Sequence, residues 1–237
     1  MPEPFPVVFA LYPRVTQLDF TGPFEVFSRL PGAQCILAST EGGTVEADGG
    51  IVFARVQRLA DVARCALLCV PGGFGTVDAM QDAEFLGQLR RLAAAASYVT
   101  SVCTGSLLLA AAGLLEGKRA ACHWAWRDLL APFGAIPDER RVVQEGRLIT
   151  GGGVTSGIDM ALTVAAEIAG AEFAQAVQLG IEYAPAPPFD CGRPERAQPE
   201  TLAAVRERLN AVRAEREAAV RSAIAALRRP PQESLRA

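Results

Sequence analysis

The strongest constraint in this sequence is a rhythm: short apolar runs of strand length alternate with segments of helical spacing. Residues 7–12 and 66–70 are unbroken apolar runs, and residues 34–39 and 98–102 are strand-like segments beside them. Runs of this length and composition suit strands buried on both faces of a parallel sheet. Between them, Thr21-Gly22-Pro23 opens a helix carrying Phe24, Phe27 and Leu30. Residues 82–95 place Phe85, Leu86, Leu89 and Leu92 on one helical face, and residues 104–112 form a helix stopped by Gly113. Residues 49–53 belong to a small hairpin, and Glu145-Gly146 turns a second one. Helices over 154–169 and 171–183 follow. Strands alternating with helices predict an α/β fold: a doubly wound, mostly parallel sheet flanked by helices, complete by about residue 185.

Beyond it, residues 184–199 are proline-rich, and Leu202, Val205, Leu209, Val212, Val220, Ile224 and Leu227 recur at near-helical spacing in a charged background. We expect one long amphipathic helix there, laid back on the same domain, ending in a Pro230-Pro231 tail. The organisation expected is therefore an α/β domain over 1–189 and a helical extension over 190–237.

Charge and cysteine usage narrow the function classes. The 23 basic and 26 acidic residues leave a formal charge of -3, which does not suit phosphate-backbone binding, so no nucleic-acid partner is expected. Residues 93–115 carry little charge, but serines, threonines and glycines divide them into a strand and a helix shorter than a bilayer, so no membrane partner is expected either. The N-terminus lacks the basic region of a signal peptide. Six cysteines without CxxC pairs predict a reduced, cytoplasmic setting. A single histidine makes a metal site a poor expectation.

Ligand sites in open α/β sheets lie at the carboxyl ends of the strands. Four such junctions stand out: 17–22 with Asp19, 71–75 with Gly72 and Gly73, 101–106 with Cys103 and Thr104, and 150–155 with Gly151, Gly152 and Gly153. Cys103 is the sharpest signal. A nucleophile between an apolar strand and a helix, with glycine two residues on, sits on a strained turn that presents its side chain. The adjacent helix N-terminus favours a lowered thiol pKa and a thiolate at neutral pH. Cys35, Cys65 and Cys69, inside or beside apolar strands, read instead as small buried apolar residues. Asp19 is either a helix cap or a carboxylate aimed at the thiol. Gly72 and Gly73 fit backbone oxyanion donors or a tight turn. The triple glycine lacks the register of a phosphate loop, so close packing of Gly151, Gly152 and Gly153 near the site is expected, with Gly152 as a supporting residue. His123, beside Trp124, is a packed core residue or a supporting base.

Taken in order, LDFTGPFEVF, PGGFG, SVCTGSLLLAAAGLLEGKRA with a following HW, and TGGGVTSGIDMAL resemble the DJ-1/PfpI superfamily over residues 5 to about 185. With EYAPAPPF added, the pattern is similar to the isocyanide hydratase branch through Phe189. The resemblance implies a flavodoxin-like fold, Cys103 as nucleophile, Asp19 as acid and base, and Thr104 as an organiser of the site. It also implies a homodimer, with the Leu30 region and the C-terminal helix as candidate contacts. The expected reaction is cofactor-free hydration of an isonitrile to an N-substituted formamide. Alternatives are a redox-sensing stress protein that uses Cys103, or a glyoxalase- or amidase-like hydrolase that would also need His123. The sensor domains of AraC-type regulators share the LD..GP.EVF and CTG motifs. With 38 residues from Glu200 to Ala237, the paired recognition helices of those regulators are not expected here.

Overall fold

The computed structural model describes residues 3–228. The proline pair expected at 230–231 lies outside the described residues. In chain order the elements are β1 Phe5–Ala10, α1 Leu18–Phe27, β2 Ala33–Ser39, β3 Gly43–Glu46, β4 Val52–Arg58 and β5 Leu67–Val70. A short α2 Thr76–Ala79 and α3 Ala83–Ala95 lead to β6 Tyr98–Val102 and α4 Gly105–Ala111. Then come β7 Arg119–Ala120, a 3-10 helix Arg127–Phe133, β8 Ile136–Pro137, β9 Val142–Glu145 and β10 Leu148–Gly151. Four helices close the chain: α5 Ser156–Ala169, α6 Ala171–Gly180, α7 Pro199–Asn210 and α8 Arg213–Leu227.

The main sheet has eight strands in the order β3-β4-β2-β1-β5-β6-β10-β9. Its centre is parallel, and the β3/β4 and β9/β10 pairs are antiparallel. The apolar runs occupy the centre because only there are both faces covered: Val7, Val8, Phe9 and all four residues of β5 are fully buried. Helices α1, α5 and α6 pack together as one layer, while α2, α3, α4 and α8 contact one another in a second. Phe9 meets Phe20, Phe24 and Phe27 of α1 at ring-centroid distances of 6.3, 5.4 and 6.3 Å. Burial of each ring favours folding by about 1.5–3 kcal/mol.

The connection after β1 goes to β2 on one side, whereas β5 lies on its other side. The carboxyl ends of β1 and β5 therefore flank a topological switch point, where loops diverge and leave a crevice. Asp19 follows β1 and Gly72-Gly73 follow β5, so chain order alone brings them to this place.

Several local expectations change. Helix α1 begins at Leu18, not near Thr21, so Asp19 sits inside its first turn. Pro23 is thus interior, where it cannot donate to the carbonyl of Asp19 four residues back. Between α4 and β9 the chain pairs only at Arg119 and Ala120 of β7, and a 3-10 turn starts at Arg127. The long C-terminal helix is two helices, broken at Ala211-Val212, where Val212 has φ -110° and ψ 4°. The break lets α8 turn onto the domain, burying Ala219, Val220 and Ala223 against it.

Of the two surfaces expected to meet a second subunit, Leu30 itself and the apolar face of α8 are covered within this chain, while Ser28, Arg29 and Pro31 around Leu30 are exposed and α7 buries no residue. Leu30 is only 3% exposed, and the apolar face of α8 packs on α2, α4 and the 3-10 turn. Among the described residues, no helix is long and apolar enough to cross a membrane.

Candidate active site

Cys103 stands between β6 and α4 with φ +59°, a left-handed conformation that a side chain rarely adopts. The surroundings over-determine it. Its backbone N–H donates to Gly152 O at 2.6 Å and Gly151 O at 3.1 Å, so the glycine run after β10 anchors the elbow. On its other side, a Cβ at Gly105 would overlap the Val70 and Pro71 carbonyl oxygens. Glycine two residues after Cys103 is thus a steric requirement for α4 to start this close to β5.

Asp19 is completely buried. Its Oδ2 accepts the Gly72 N–H at 2.9 Å, while Oδ1 is buried without a hydrogen-bond partner. Burial pushes its carboxyl up to about 7, against the opposing pull of the Gly72 N–H and the Cys103 thiol. A Cβ at Gly72 would lie 2.5 Å from Thr104 N, 2.6 Å from Thr104 Oγ1 and 2.9 Å from Asp19 Oδ2. Only glycine permits the acid and the elbow to converge.

Donor accounting corrects the oxyanion expectation. The Gly72 N–H is spent on Asp19, and the Gly73 N–H donates to Thr104 Oγ1 at 3.0 Å. These glycines position the machinery; their amides are not free for a ligand. Thr104 is held further by a 2.9 Å contact with Thr76 Oγ1, which itself donates to Gly73 O at 2.6 Å. Tyr12 completes the network, donating to Pro71 O at 2.8 Å. The N–H of Thr104 supports negative charge on the Cys103 sulfur.

The resting thiol also differs from expectation. Cys103 is only 6% exposed, and burial together with the neighbouring Asp19 pushes its pKa well above that of an ordinary thiol. Desolvation outweighs the helix terminus and keeps sulfur protonated at rest. Near neutral pH the buried Cys103–Asp19 pair therefore retains a proton to exchange.

His123 does not join them. Its Nδ1 accepts the Ala125 N–H at 3.2 Å, and its ring lies against Gly153. Burial, helped by the charge of Arg216, lowers its pKa to about 4. Neutral and tied to local backbone, it is placed to pack.

Sequence reasoning missed Tyr12, Thr76 and Arg216. Tyr12 closes the first apolar run and Thr76 follows the glycine turn, so both stand at strand ends, where ligand sites in open α/β sheets form. Arg216 comes from α8: it is 2% exposed, and its guanidinium lies 4.5 Å from the Trp126 ring centroid. Four residues from both Val212 and Val220, it interrupts the apolar stripe in register, which was the available signal.

Fold and site together define a doubly wound α/β protein whose cysteine, on a strained elbow, faces a buried carboxylic acid across the topological switch. The chain belongs to the DJ-1/PfpI family, whose model matches residues 6–167. It is 50% identical over 200 residues to the isonitrile hydratase of Pseudomonas putida, covering 84% of this chain and 88% of that protein. The crystal structure of a ThiJ/PfpI family protein from Pseudomonas syringae superposes with a TM-score of 0.88 at 37% identity, covering 92% of this chain and 90% of the other. That of Drosophila melanogaster DJ-1beta reaches 0.68 at 25% identity, and 77% of this chain suffices to cover all of it.

Proposed function

We propose that this protein is an isonitrile hydratase, converting R–N≡C and water to R–NH–CHO without a cofactor. The observation that carries the reading is the buried Asp19 carboxyl, poised at about 7 beside Cys103 on its elbow. An isonitrile carbon must receive a nucleophile and a proton, and this pair supplies both. The extended identity to the Pseudomonas putida isonitrile hydratase supports the same reading.

In the proposed sequence, the Cys103 proton passes to Asp19 and the thiolate adds to the terminal carbon. Asp19 then protonates that carbon, giving the thioimidate R–N=CH–S–Cys103. The resulting carboxylate takes a proton from water as the water oxygen attacks the same carbon. Asp19 gives that proton to nitrogen, and as the carbon–sulfur bond breaks the hydroxyl proton passes through Asp19 to sulfur, releasing the formamide and restoring the thiol. Thr104 holds the elbow through Gly73, while Gly72 orients the acid by engaging Oδ2 and leaving Oδ1 for the transferred proton.

The proposed substrate is a small-molecule isonitrile, R–N≡C. A homodimer in a reduced, cytoplasmic setting completes the proposal, supported by six unpaired cysteines for the compartment and by family resemblance for the assembly. Light scattering should give about twice the 25.0 kDa chain mass; a monomer mass would remove the dimer. The decisive assay mixes the purified protein with an aromatic isonitrile and follows formamide beside Cys103→Ala. Turnover by wild type alone is expected, and its absence in wild type would overturn the assignment.

A further inference from the structure

The reaction needs negative charge on sulfur, yet burial and Asp19 both oppose it. The resource that offsets them comes from outside the matched family region. Arg216 lies on α8, beyond residue 167, in a site otherwise built from the α/β domain. Its guanidinium is buried, and among the described residues it makes no ion pair. Nη2 reaches Gly73 O at 3.5 Å, while Nε and Nη1 have no hydrogen-bond partner. Burying an arginine in this state is costly unless it faces an anion, and guanidinium does not escape by losing its proton.

The groups facing Arg216 identify the anion. Its charge acts on Cys103, Tyr12, Cys122 and Glu215, and also on His123. Burial holds Tyr12 and Cys122 protonated, and His123 is neutral. Glu215 is an exposed side chain. Cys122 in turn faces Arg127 and Asp128. The guanidinium reaches Gly73 O, and the Gly73 N–H is bonded to Thr104, the residue next to Cys103, so the positive charge sits beside the elbow.

We propose that Arg216, delivered by the C-terminal extension, is the countercharge of the nucleophile, stabilising the Cys103 thiolate and so directing the shared proton onto Asp19. In this step the Sγ–H bond breaks, an O–H bond forms on Asp19, and one negative charge moves from carboxylate to sulfur. Arg216 is a positioning residue, acting through Cys103. Two contacts fix it: Trp126 stacks on the guanidinium, and Arg213 ties the start of α8 to Asp128 and to Ala125 O.

The proposal rests on Cys103 being the nucleophile, and its test reads the thiol directly, without an isonitrile. Iodoacetamide labelling of Cys103 is followed by peptide mass spectrometry across pH in full-length wild type, Arg216→Met and Arg216→Lys. The position of the rate–pH curve reports charge, and its plateau reports access. Arg216→Met should displace the curve upward by about one to two pH units, slowing labelling at pH 7 roughly tenfold or more. Arg216→Lys, which keeps the charge, should stay near wild type. The thermal midpoint of Arg216→Met should not fall, because an unpaired buried charge has been removed. Should the methionine variant not fold, Arg216→Gln must show the same displacement. A curve for the uncharged variant that overlays wild type, or equal displacement in Arg216→Lys, would overturn the proposal.

Discussion

At the scale of single residues, chemistry depends on how burial redistributes one proton. Asp19 holds its proton up to about pH 7 in the fold, against 3.8 for the ordinary carboxyl. The folded state thus binds a proton that the unfolded chain releases, so stability present below about pH 4 is lost as pH rises through 7. At about 1.4 kcal/mol per pH unit, this loss is on the order of 4 kcal/mol. Asp19→Asn removes the ionisation. Urea unfolding should show the variant gaining stability relative to wild type between pH 4 and 8, while turnover falls at least about a hundredfold. A constant stability difference across that range would mean that Asp19 is not the raised group. Cys103, Asp19 and Thr104 were all legible as candidates, because nucleophile, acid and glycine spacing are local features. Their protonation was not: the helix terminus beside Cys103 is visible in sequence, whereas the desolvation that overrides it depends on residues distant in the chain.

At the scale of elements, the site is a meeting of strand ends, with small residues setting how closely they approach. The rhythm of apolar runs located the central strands to within about two residues, because strands buried on both faces are apolar throughout. Edges and short elements were harder to place. The 3-10 turn at Arg127–Phe133 and the two-residue pairing of β7 with β8 have too few residues to leave a period. Helix α1 was placed late because Pro23 resembles a first-turn proline, while packing of the phenylalanine cluster carries the helix back to Leu18. A Cβ at Gly105 would lie only 2.0 Å from Val70 O. Gly105→Ala should force α4 away from β5, costing about 2–3 kcal/mol in urea unfolding and reducing turnover as Cys103 and Asp19 separate. Unchanged stability and turnover would show that the elbow tolerates the added methyl group.

At the scale of the whole molecule, the C-terminal extension connects packing to chemistry. Val220, on the inner face of α8, is 3% exposed and one helical turn from Arg216. Val220→Asp would bury an unpaired carboxylate, costing several kcal/mol if α8 stayed docked. Release of the helix is the cheaper response. Iodoacetamide labelling of Cys103 should then reach a higher plateau while the α/β domain retains its circular dichroism. An unchanged plateau would show that α8 does not cover the sulfur. The extension was recognisable as helical and amphipathic, but its break and destination were not, since a stripe of apolar residues does not name the surface it meets.

The order of strands and helices, the elbow around Cys103 and the acid at Asp19 were determined by the sequence itself, because each is written in neighbouring residues and their periodicity. The tertiary structure alone decided that Gly72 and Gly73 spend their amides on Asp19 and Thr104, that His123 stays outside the pair, and that Arg216 enters the site. These outcomes depend on desolvation and on contacts between distant segments, Arg216 and Gly73 being 143 residues apart. Such distances become physical neighbours only when the chain closes on itself.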